Sequence, residues 1–573
     1  MPHIKINNVE MDVPSGITIL EAAHLHNIDL PTLCHYPDLD VKNDCRVCVV
    51  EIEGQKGLVT SCSTPVREGM NIKTHSTRVL NARKIIVEMI LANHDSNCPA
   101  CARNMNCELQ KLARSLNIET NRFPSSLDPK PLDDGNECLV RNPNRCIKCG
   151  RCVDVCRTVQ NIAVLEVMGR GHEVMVSPAY GNHLNEVFCS YCGQCAAVCP
   201  VGAIIEKDDT GIVWDALHDP DKHVVVQVAP AIRVSLGEEL GLPVGSIVTG
   251  QVVAALKMLG FDRVFDTNFT ADMTIIEEGH EFINRMKNGG PLPLITSCCP
   301  GWIRFAEHEF PEILSHISSC KSPQQMFGAI IKSYYAERAK IDPKNLYVVS
   351  IMPCTAKKYE AKRPEMATAE TDHDVDAVLT TRELGKMIKQ MGIDFRELQK
   401  APFDDPCQTT SGAAAIFGVT GGVMEAALRT VKEVLDARPL EEINFVGMRG
   451  INGIKEAEVE IQGHCYKVAV AHTLGNARKV AQQVKDGTSP YAFIEVMACP
   501  GGCIGGGGQP YGTTKAKRAR RSESIYEIDE KSIIRKSHEN PMIQAIYRDF
   551  LIEPCGHKSH ELLHTKYTNR KNG

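Results

Sequence analysis

The chain has 573 residues, with 64 basic and 70 acidic side chains, a formal net charge of −6 and 43% hydrophobic residues. At about 150 residues per domain, this length predicts several domains. The near balance of charge gives no reason to expect nucleic acid or an anionic membrane as a partner. No run reaches the roughly 18 apolar residues of a membrane span. The first residues also lack a basic-then-apolar leader, so we expect a cytoplasmic protein with no membrane span.

The 25 cysteines are the unusual feature of the composition. The chain is too long for a small disulfide scaffold, and the cysteines fall in short clusters. A reducing cytoplasm keeps such clusters as thiols, which usually bind metal. We therefore interpret each cluster as a candidate metal site.

The first cluster lies in a predicted strand-helix-strand segment. Ile4, Ile6 and Val9 indicate a short hairpin, residues 18–27 a helix with Thr18 as its cap, and residues 47–52 a strand. The cysteines are Cys34, Cys45, Cys48 and Cys62. This pattern resembles the β-grasp ferredoxin domain that holds a 2Fe-2S cluster. A zinc site is the alternative.

The second cluster combines one histidine with three cysteines. Its members are His94, Cys98, Cys101 and Cys107. On chemistry alone they could hold zinc or a 4Fe-4S cluster. The position after a 2Fe-2S-like domain resembles the His/Cys₃ 4Fe-4S segment of complex I, so we favour iron-sulfur.

The third cluster repeats one spacing twice. The two quartets are Cys146, Cys149, Cys152, Cys156 and Cys189, Cys192, Cys195, Cys199, each with gaps of two, two and three residues. They resemble the two-cluster bacterial ferredoxins, in which the fourth cysteine serves the other cluster. That resemblance pairs Cys199 with the first three cysteines and Cys156 with Cys189, Cys192 and Cys195. Residues 1–78, 79–125 and 126–209 would then be three iron-sulfur domains that conduct electrons.

Residues 210–573 show alternating strand-like and helical segments. Predicted strands cover residues 224–228, 264–266, 294–295, 346–352, 377–379 and 493–497. Predicted helices cover residues 251–259, 271–287, 324–338, 382–390 and 421–437. The alternation favours an α/β catalytic domain of mostly parallel sheets, preceded by the α+β iron-sulfur domains, with sites at the carboxyl ends of the strands.

Three cysteine motifs follow predicted strands in this half. They are TSCCPGW at 296–302, MPCTAKKYE at 352–360 and EVMACPGGCIGGGGQP at 495–510. One cysteine from each of the first two motifs and two from the third supply the four thiolates of a cubane. One cysteine of the Cys298-Cys299 pair is left over as a free thiol beside it.

These three motifs resemble the signatures of the FeFe-hydrogenases, and the resemblance covers almost the whole chain. It implies an H-cluster between two lobes: a 4Fe-4S cubane bridged by a cysteine to a two-iron unit with CO, cyanide and a dithiolate. Motif by motif, the cubane ligands become Cys299, Cys354, Cys499 and Cys503, with Cys503 shared with the two-iron unit. Cys298 becomes the thiol that passes protons.

The same resemblance implies the lining of the pocket. Matching positions around the diatomic ligands are Pro230, Ala231, Gln324, Met352, Pro353 and Met497. Lys357 would donate a hydrogen bond to cyanide. Ala231 stands where some members of the family have serine.

A carboxylate pattern indicates a proton path. Glu278, Glu281 and Arg285 are spaced to share one helix face, and a solvated salt-bridged face is the alternative. The family's relay maps to Cys298, Glu278, Ser318 and Glu281. The adjacent Glu277 leaves open which carboxylate points inward.

The expected function is reversible interconversion of 2H⁺ + 2e⁻ with H₂. The implied cofactors are the H-cluster, three 4Fe-4S clusters and one 2Fe-2S cluster. Electrons would come from a flavin-bearing, NAD(P)H-oxidising partner subunit or from ferredoxin, and maturation proteins would install the two-iron unit. A monomeric ferredoxin-dependent hydrogenase, a non-enzymatic iron-sulfur assembly protein and a hydrogen sensor are the alternatives. No GxGxxG sequence follows a strand, so we expect neither NAD nor flavin in this chain.

Some features are assigned no site. Five cysteines remain, and most should be small buried hydrophobes: Cys138, Cys320, Cys407, Cys465 and Cys555. Residues 505–508 are glycines without the Gly-Lys-Ser/Thr of a phosphate loop and fit close backbone approach. Residues 515–521 (KAKRARR) read as a solvated surface segment or as a docking patch for an acidic ferredoxin.

Overall fold

The computed structural model describes residues 1–368 and 371–571. The chain divides into two compact units. The first comprises residues 1–158, 163–187 and 198–205, and the second comprises 159–162, 188–197 and 206–573. Within the described ranges, every helix is too short or too polar to cross a membrane.

Up to residue 206 the chain forms short strands and helices. The strands are β1 (His3–Ile6), β2 (Val9–Asp12), β3 (Val49–Ile52), β4 (Val59–Thr60), β5 (Asn71–Lys73), β6 (Leu139–Arg141), β7 (Glu166–Met168), β8 (Met175–Ser177) and β9 (Ile204–Glu206). The helices are α1 (Ile19–Leu25), α2 (Thr77–Ala92), α3 (Glu108–Ser115), α4 (Arg151–Asp154) and α5 (Gln194–Val198).

The first five strands form one mixed sheet in the order β2-β1-β5-β3-β4. Strand β1 runs parallel to β5, and the other pairs are antiparallel. Helix α1 starts at Thr18, whose side chain accepts from the Glu21 backbone while Glu21 reaches back in a capping box. The helix buries Ile19 and Leu20 in the same core as Ile6 from the sheet. The predicted hairpin, helix and strand of a β-grasp domain are therefore confirmed.

Beyond residue 206 the chain is longer and more regular. The strands are β10 (His223–Val228), β11 (Arg263–Asp266), β12 (Leu294–Ile295), β13 (Leu346–Met352), β14 (Ala377–Thr380), β15 (Ile454–Ile461), β16 (His464–His472) and β17 (Phe493–Met497). The helices are α6 (Thr210–His218), α7 (Leu236–Glu239), α8 (Thr249–Leu259), α9 (Asn268–Asn288), α10 (Pro300–Glu309), α11 (Pro323–Ile330), α12 (Ala336–Ala339), α13 (Ala356–Ala361), α14 (Thr381–Gln390), α15 (Gly412–Ala415), α16 (Gly422–Asp436), α17 (Leu474–Lys485), α18 (Lys515–Lys531), α19 (Pro541–Ile546) and α20 (His557–Leu563).

Two four-stranded sheets organise the second unit. The sheet β11-β10-β13-β14 is parallel throughout. The sheet β12-β17-β16-β15 is parallel except for its edge pair, β15 with β16. One inner strand of each sheet, β10 and β17, is buried on both faces, as parallel strands covered by helices must be. The expectation of mostly parallel sheets is confirmed, and the antiparallel hairpin of β15 and β16 is an element that was not predicted.

Two further expectations need correction. The helix predicted over residues 324–338 is interrupted, because a π-helical stretch, Ile331–Tyr335, separates α11 from α12. The basic run at 515–521 is the first turns of helix α18, and reading all of it as solvated is wrong. Arg521 is completely buried, and its guanidinium donates to both carboxylate oxygens of Glu238 at 2.6 and 2.9 Å.

Candidate active site and cluster sites

The first four cysteines converge in the first unit. The Sγ atoms of Cys48 and Cys62 lie 3.3 Å apart, and the thiols of Cys34 and Cys45 are hydrogen-bonded to each other. Cys34, Cys48 and Cys62 are buried. A compact group of four sulfurs, three of them buried, fits a cluster, because thiolates at this spacing need a cation between them.

His94 and its three cysteines also lie together. His94, Cys98 and Cys107 line one cavity, and the charge of Cys101 acts on the thiol of Cys107. Burial lowers the pKa of His94, which favours the neutral imidazole that a metal ligand must be. The buried Nδ1 atom of His94 has no hydrogen-bond partner. An orphaned ring nitrogen beside thiols fits a ligand of the predicted cluster.

The ferredoxin-like cysteines are distributed over both units. Cys199 lines the same cavity as Cys146, Cys149 and Cys152, which is the grouping that the crossed pairing predicts. Cys156 belongs to the first unit and the three cysteines 189, 192 and 195 to the second. The second ligand set therefore stays a prediction.

The loop around Cys192 packs directly on the catalytic loops of the second unit. Thr355 Oγ1 donates to the Tyr191 carbonyl at 2.7 Å, and Gln194 Nε2 donates to the Gly505 carbonyl at 2.9 Å. A Cβ atom at Gly193, where φ is +71°, would lie 2.3 Å from Thr355 Oγ1. Only glycine permits this approach, which brings a ferredoxin-type cysteine next to the loop that follows Cys503.

One cavity of the second unit lies where strands from both of its four-stranded sheets end. Strands β10 and β13 come from one sheet and β12 and β17 from the other, and each leads into a lining loop. The cavity is lined by Pro230, Ala231, Cys298, Cys299, Gln324, Met352, Pro353, Cys354, Lys357, Met497, Cys499 and Cys503, among others. Every pocket residue and cubane ligand expected from the sequence faces this one space.

The electrostatics of the cavity fit a cationic metal cluster. Burial raises the pKa of Cys499 and of Cys354, and the neighbouring cysteines raise both further. Burial likewise raises the pKa of Cys503 to about 12, with Cys299 adding to the effect. Four thiols that oppose one another's ionisation need metal to hold them as thiolates.

Lys357 contributes a positive charge to the lining of the cavity. Lys357 Nζ donates to Glu360 Oε2 at 2.7 Å and to the Cys298 carbonyl at 3.2 Å. Burial acts to lower the pKa of Lys357, but the charge and hydrogen bond of Glu360, together with the charges of Cys354 and Cys298, outweigh it and the pKa is raised. The Oε1 atom of Gln324 is buried without a partner. The remaining lining is largely apolar, which suits small gaseous ligands.

Glu360 is a site residue to which the sequence reasoning gave no role. Its Oε2 atom accepts from Lys357, from Ser322 Oγ at 2.8 Å and from Gln324 Nε2 at 3.2 Å. Two of these three donors line the cavity. The signal was present, since Glu360 follows Lys357 by three residues and closes the MPCTAKKYE motif. Thr267 and Phe417 also line the cavity and had no sequence signal.

Several side chains of the candidate proton path are hydrogen-bonded to one another beside α9. Glu278 is hydrogen-bonded to the Ser318 side chain, Ser318 Oγ donates to Glu281 Oε2 at 2.8 Å, and Arg285 donates to Glu281 Oε1 at 2.6 Å. Burial raises the pKa of Glu278 to about 8, with the charge of Glu281 adding to it. Burial, followed by the charge of Glu278, raises the pKa of Cys298. These residues form one chain of proton-bearing groups.

Glu277 belongs to a different environment. It accepts hydrogen bonds from Tyr547 and from the backbone of Cys555, and it pairs with His564. Glu278 is the carboxylate of this pair that meets Ser318. The sequence left open whether Glu277 or Glu278 points towards the predicted path. Residues of the C-terminal segment bind Glu277, and Glu278 is the one that contacts Ser318.

Most of the cysteines left without a site are buried. Cys138, Cys320 and Cys407 are completely buried, Cys555 is half-buried and Cys465 is exposed. The expectation that most leftover cysteines act as small core residues is confirmed for three of the five.

Five family models match the chain in order. They are the 2Fe-2S iron-sulfur cluster binding domain at 2–77, the NADH-ubiquinone oxidoreductase-G iron-sulfur binding region at 83–122, the 4Fe-4S dicluster domain at 145–203, the C-terminal domain of the iron only hydrogenase large subunit at 222–507 and the iron hydrogenase small subunit at 515–570. The first two matches favour iron-sulfur clusters over the zinc alternatives.

Similar proteins cover the whole chain. The NADP-reducing hydrogenase subunit HndD of Solidesulfovibrio fructosivorans is 47% identical over 99% of this chain and 99% of that protein. Iron hydrogenase 1 of Clostridium pasteurianum is 42% identical over 99% of this chain and 100% of that protein. The apo [FeFe]-hydrogenase HydA1 structure from Chlamydomonas reinhardtii has a TM-score of 0.57 and 43% identity, covering 63% of this chain and 99% of that one.

The protein belongs to the iron-only, or FeFe, hydrogenase family. It is an oxidoreductase with a hydrogenase domain and accessory 2Fe-2S and 4Fe-4S domains. The expected family, fold, enzyme class and kinds of cofactor are confirmed.

Proposed function

We propose that the second unit interconverts protons, electrons and H₂ at an H-cluster held by Cys299, Cys354, Cys499 and Cys503. The observation that carries this proposal is the convergence of these four thiols, from three distant motifs, on one cavity with Lys357 in its wall. When bound, the cluster supplies the redox-active iron. Lys357 and Gln324 offer polar contacts to it, while Pro230, Ala231, Met352, Pro353 and Met497 exclude water.

The chain's own residues would carry the proton. Cys298 lines the cavity, and Glu278 lies behind it in the buried path that Ser318 and Glu281 continue. A neutral Glu278 can donate to Ser318 Oγ while that hydroxyl donates to Glu281, so a proton can pass without a charge being buried alone. Arg285 holds Glu281 at the outer end.

Hydrogen evolution should depend on pH through Glu278. Its pKa of about 8 means that the carboxyl is neutral below that pH and charged above it. Only the neutral form can donate toward Cys298, so turnover with excess reduced donor should fall as pH rises through about 8. Turnover measured from pH 6 to 10 checks this, and an inflection that persists unchanged in Glu278→Gln would contradict it.

Electrons would reach the cavity through the accessory clusters. We infer one 2Fe-2S cluster, one His/Cys₃ 4Fe-4S cluster and two ferredoxin-type 4Fe-4S clusters, in domains 1–78, 79–125 and 126–209, ahead of the hydrogenase domain 210–573. Cys45, Cys107, Cys146 and Cys199 pack around one apolar cluster of the first unit, which supports short steps between its sites. The contacts around Gly193 support the final step into the catalytic loops.

The electron donor we favour is a flavin-bearing, NAD(P)H-oxidising partner subunit in the cytoplasm, with ferredoxin as an alternative or second donor. The 47% identity to a subunit named as NADP-reducing and the complex I-type match at residues 83–122 support this choice. When the complex is purified from its native cells, flavin should copurify with it, and the preparation should evolve H₂ with NADPH as the electron donor. A flavin-free chain that accepts electrons only from ferredoxin would favour the monomeric alternative.

Infrared spectroscopy together with a viologen assay tests the central proposal. The matured protein should show CO and cyanide bands and evolve H₂ from reduced methyl viologen. An assembly protein would show neither, and a sensor would show the bands with negligible turnover. Cys499→Ser should abolish both the bands and turnover, whereas Cys465→Ser, at an exposed thiol, should change neither.

A further inference from the structure

Behind the proton path, three potential metal ligands meet in the second unit. Glu277 lies on α9, Cys555 on the loop before α20, and His564 directly after α20. One ligand atom from each lies within 4.8 Å of the other two. Glu277 and His564 are buried, and Cys555 is half-buried. None of the three is assigned to the iron-sulfur sites or to the catalytic cavity.

We propose that Glu277, Cys555 and His564 form a Zn²⁺-binding site. Thiolate, imidazole and carboxylate together are ligands that Zn²⁺ accepts, whereas Mg²⁺ and Ca²⁺ select oxygen atoms alone. Three protein ligands leave the fourth tetrahedral position to water. The site would fasten the C-terminal segment to the helix that carries Glu278 and Glu281.

The ligand geometry is close to that of an occupied site. Glu277 Oε2 and His564 Nε2 are 3.0 Å apart. Tetrahedral zinc with bonds of about 2.0–2.1 Å separates two such ligands by about 3.3 Å. The thiol of Cys555 already points at α9, with Sγ 3.5 Å from the Glu277 carbonyl oxygen. Small side-chain movements would admit the ion.

The groups that orient metal ligands are also in place. Ser319 Oγ lies 2.8 Å from His564 Nδ1, so it can accept the ring proton while Nε2 binds metal. Tyr547 donates to Glu277 Oε1 at 2.5 Å, and the Cys555 backbone donates to Oε2 at 2.7 Å. Hydrogen bonds from the far side of a ligating histidine and carboxylate are the usual second layer of a zinc site.

Binding of Zn²⁺ at this site would release one proton. On binding, the Cys555 thiol gives up its proton to solvent and bonds Zn²⁺ as the thiolate. The His564 ring would bind in its neutral form, through Nε2 and with its proton on Nδ1. The net reaction consumes one Zn²⁺ and releases one proton, and it involves no redox change.

Zinc retention by the matured holoenzyme tests the site. The protein is treated with a mild chelator, given one equivalent of ZnCl₂, desalted and analysed for zinc and iron. The native chain should retain about one zinc with unchanged iron. Cys555→Ser should weaken zinc binding at least 100-fold, and Cys465→Ser, the matched control at an exposed thiol, should bind like the native chain.

Zinc K-edge absorption identifies the ligands. The native spectrum should contain one sulfur at about 2.3 Å beside nitrogen and oxygen, and Cys555→Ser should lose that sulfur. No retained zinc, or equal retention by Cys555→Ser and the native chain, would overturn the proposal. Loss of zinc in Cys320→Ser instead would also overturn it, because Glu281, Cys320 and His564 form a second, overlapping ligand set. His564→Gln serves as the second variant if Cys555→Ser lacks its iron.

Discussion

Replacing Glu278 by glutamine should lower H₂ turnover by about 10²–10⁴-fold, the range that general acid–base groups contribute. Glutamine keeps the size and the buried position of the side chain but cannot release a proton. Since Glu278 lies between the Cys298 thiol and Ser318, its loss interrupts the path at the most buried step. Turnover with reduced viologen gives the effect on H₂ evolution, and turnover with H₂ and oxidised viologen gives the effect on H₂ uptake.

The control for this variant separates proton transfer from cluster loss. Infrared bands and iron content should match the native chain, because Glu278 is not among the residues lining the cavity. Glu312→Gln makes the same chemical change at an exposed ion pair with Lys485 and should leave turnover within about twofold. Native turnover in Glu278→Gln would reject the relay, and lost infrared bands would assign Glu278 a structural role.

The sequence predicted which residues line the cavity because each of the three cysteine motifs is a short, continuous segment. Each cysteine motif follows a strand, and parallel strands end at one edge of a sheet, so the expected convergence follows from topology. The glycines at 505–508 illustrate the same logic. A Cβ atom on Gly507 would lie 2.3 Å from the Cys192 carbonyl oxygen, so the close backbone approach expected there is present.

Sequence spacing could not decide features that depend on distant segments. Glu277 and Glu278 are both buried, and their side chains point in directions roughly 100° apart around the helix. Their different partners could be assigned only once Tyr547 and His564, which lie far along the chain, were seen to bind Glu277. Arg521 looked solvated because its neighbours are basic, and its partner Glu238 is far away in sequence. The hairpin of β15 and β16 is a different case, because a local signal was present: Ala457, Val459 and Ile461 alternate with glutamates before a turn at Gly463.

Replacing Glu360 by glutamine should destabilise the second unit by about 3 kcal/mol, the cost of leaving one member of a buried ion pair without its partner. The side chains of Lys357 and Glu360 are only 11% and 4% exposed, so solvent cannot replace the lost charge. The two tryptophans, Trp214 and Trp302, both lie in the second unit. Urea unfolding followed by tryptophan emission therefore reports on this unit alone.

A double variant distinguishes the buried charge from other effects of the Glu360 substitution. Lys357→Met combined with Glu360→Gln removes both charges and should recover most of the lost stability, because a neutral pair carries no uncompensated charge. It should not recover turnover or the native cyanide stretch, since Lys357 no longer faces the cluster. Glu309→Gln, at a surface pair with Arg478, should cost less than about 1 kcal/mol. If the double variant were no more stable than Glu360→Gln, the hydrogen bonds to Ser322 and Gln324 that both variants lose would account for the cost, and the charge argument would fail.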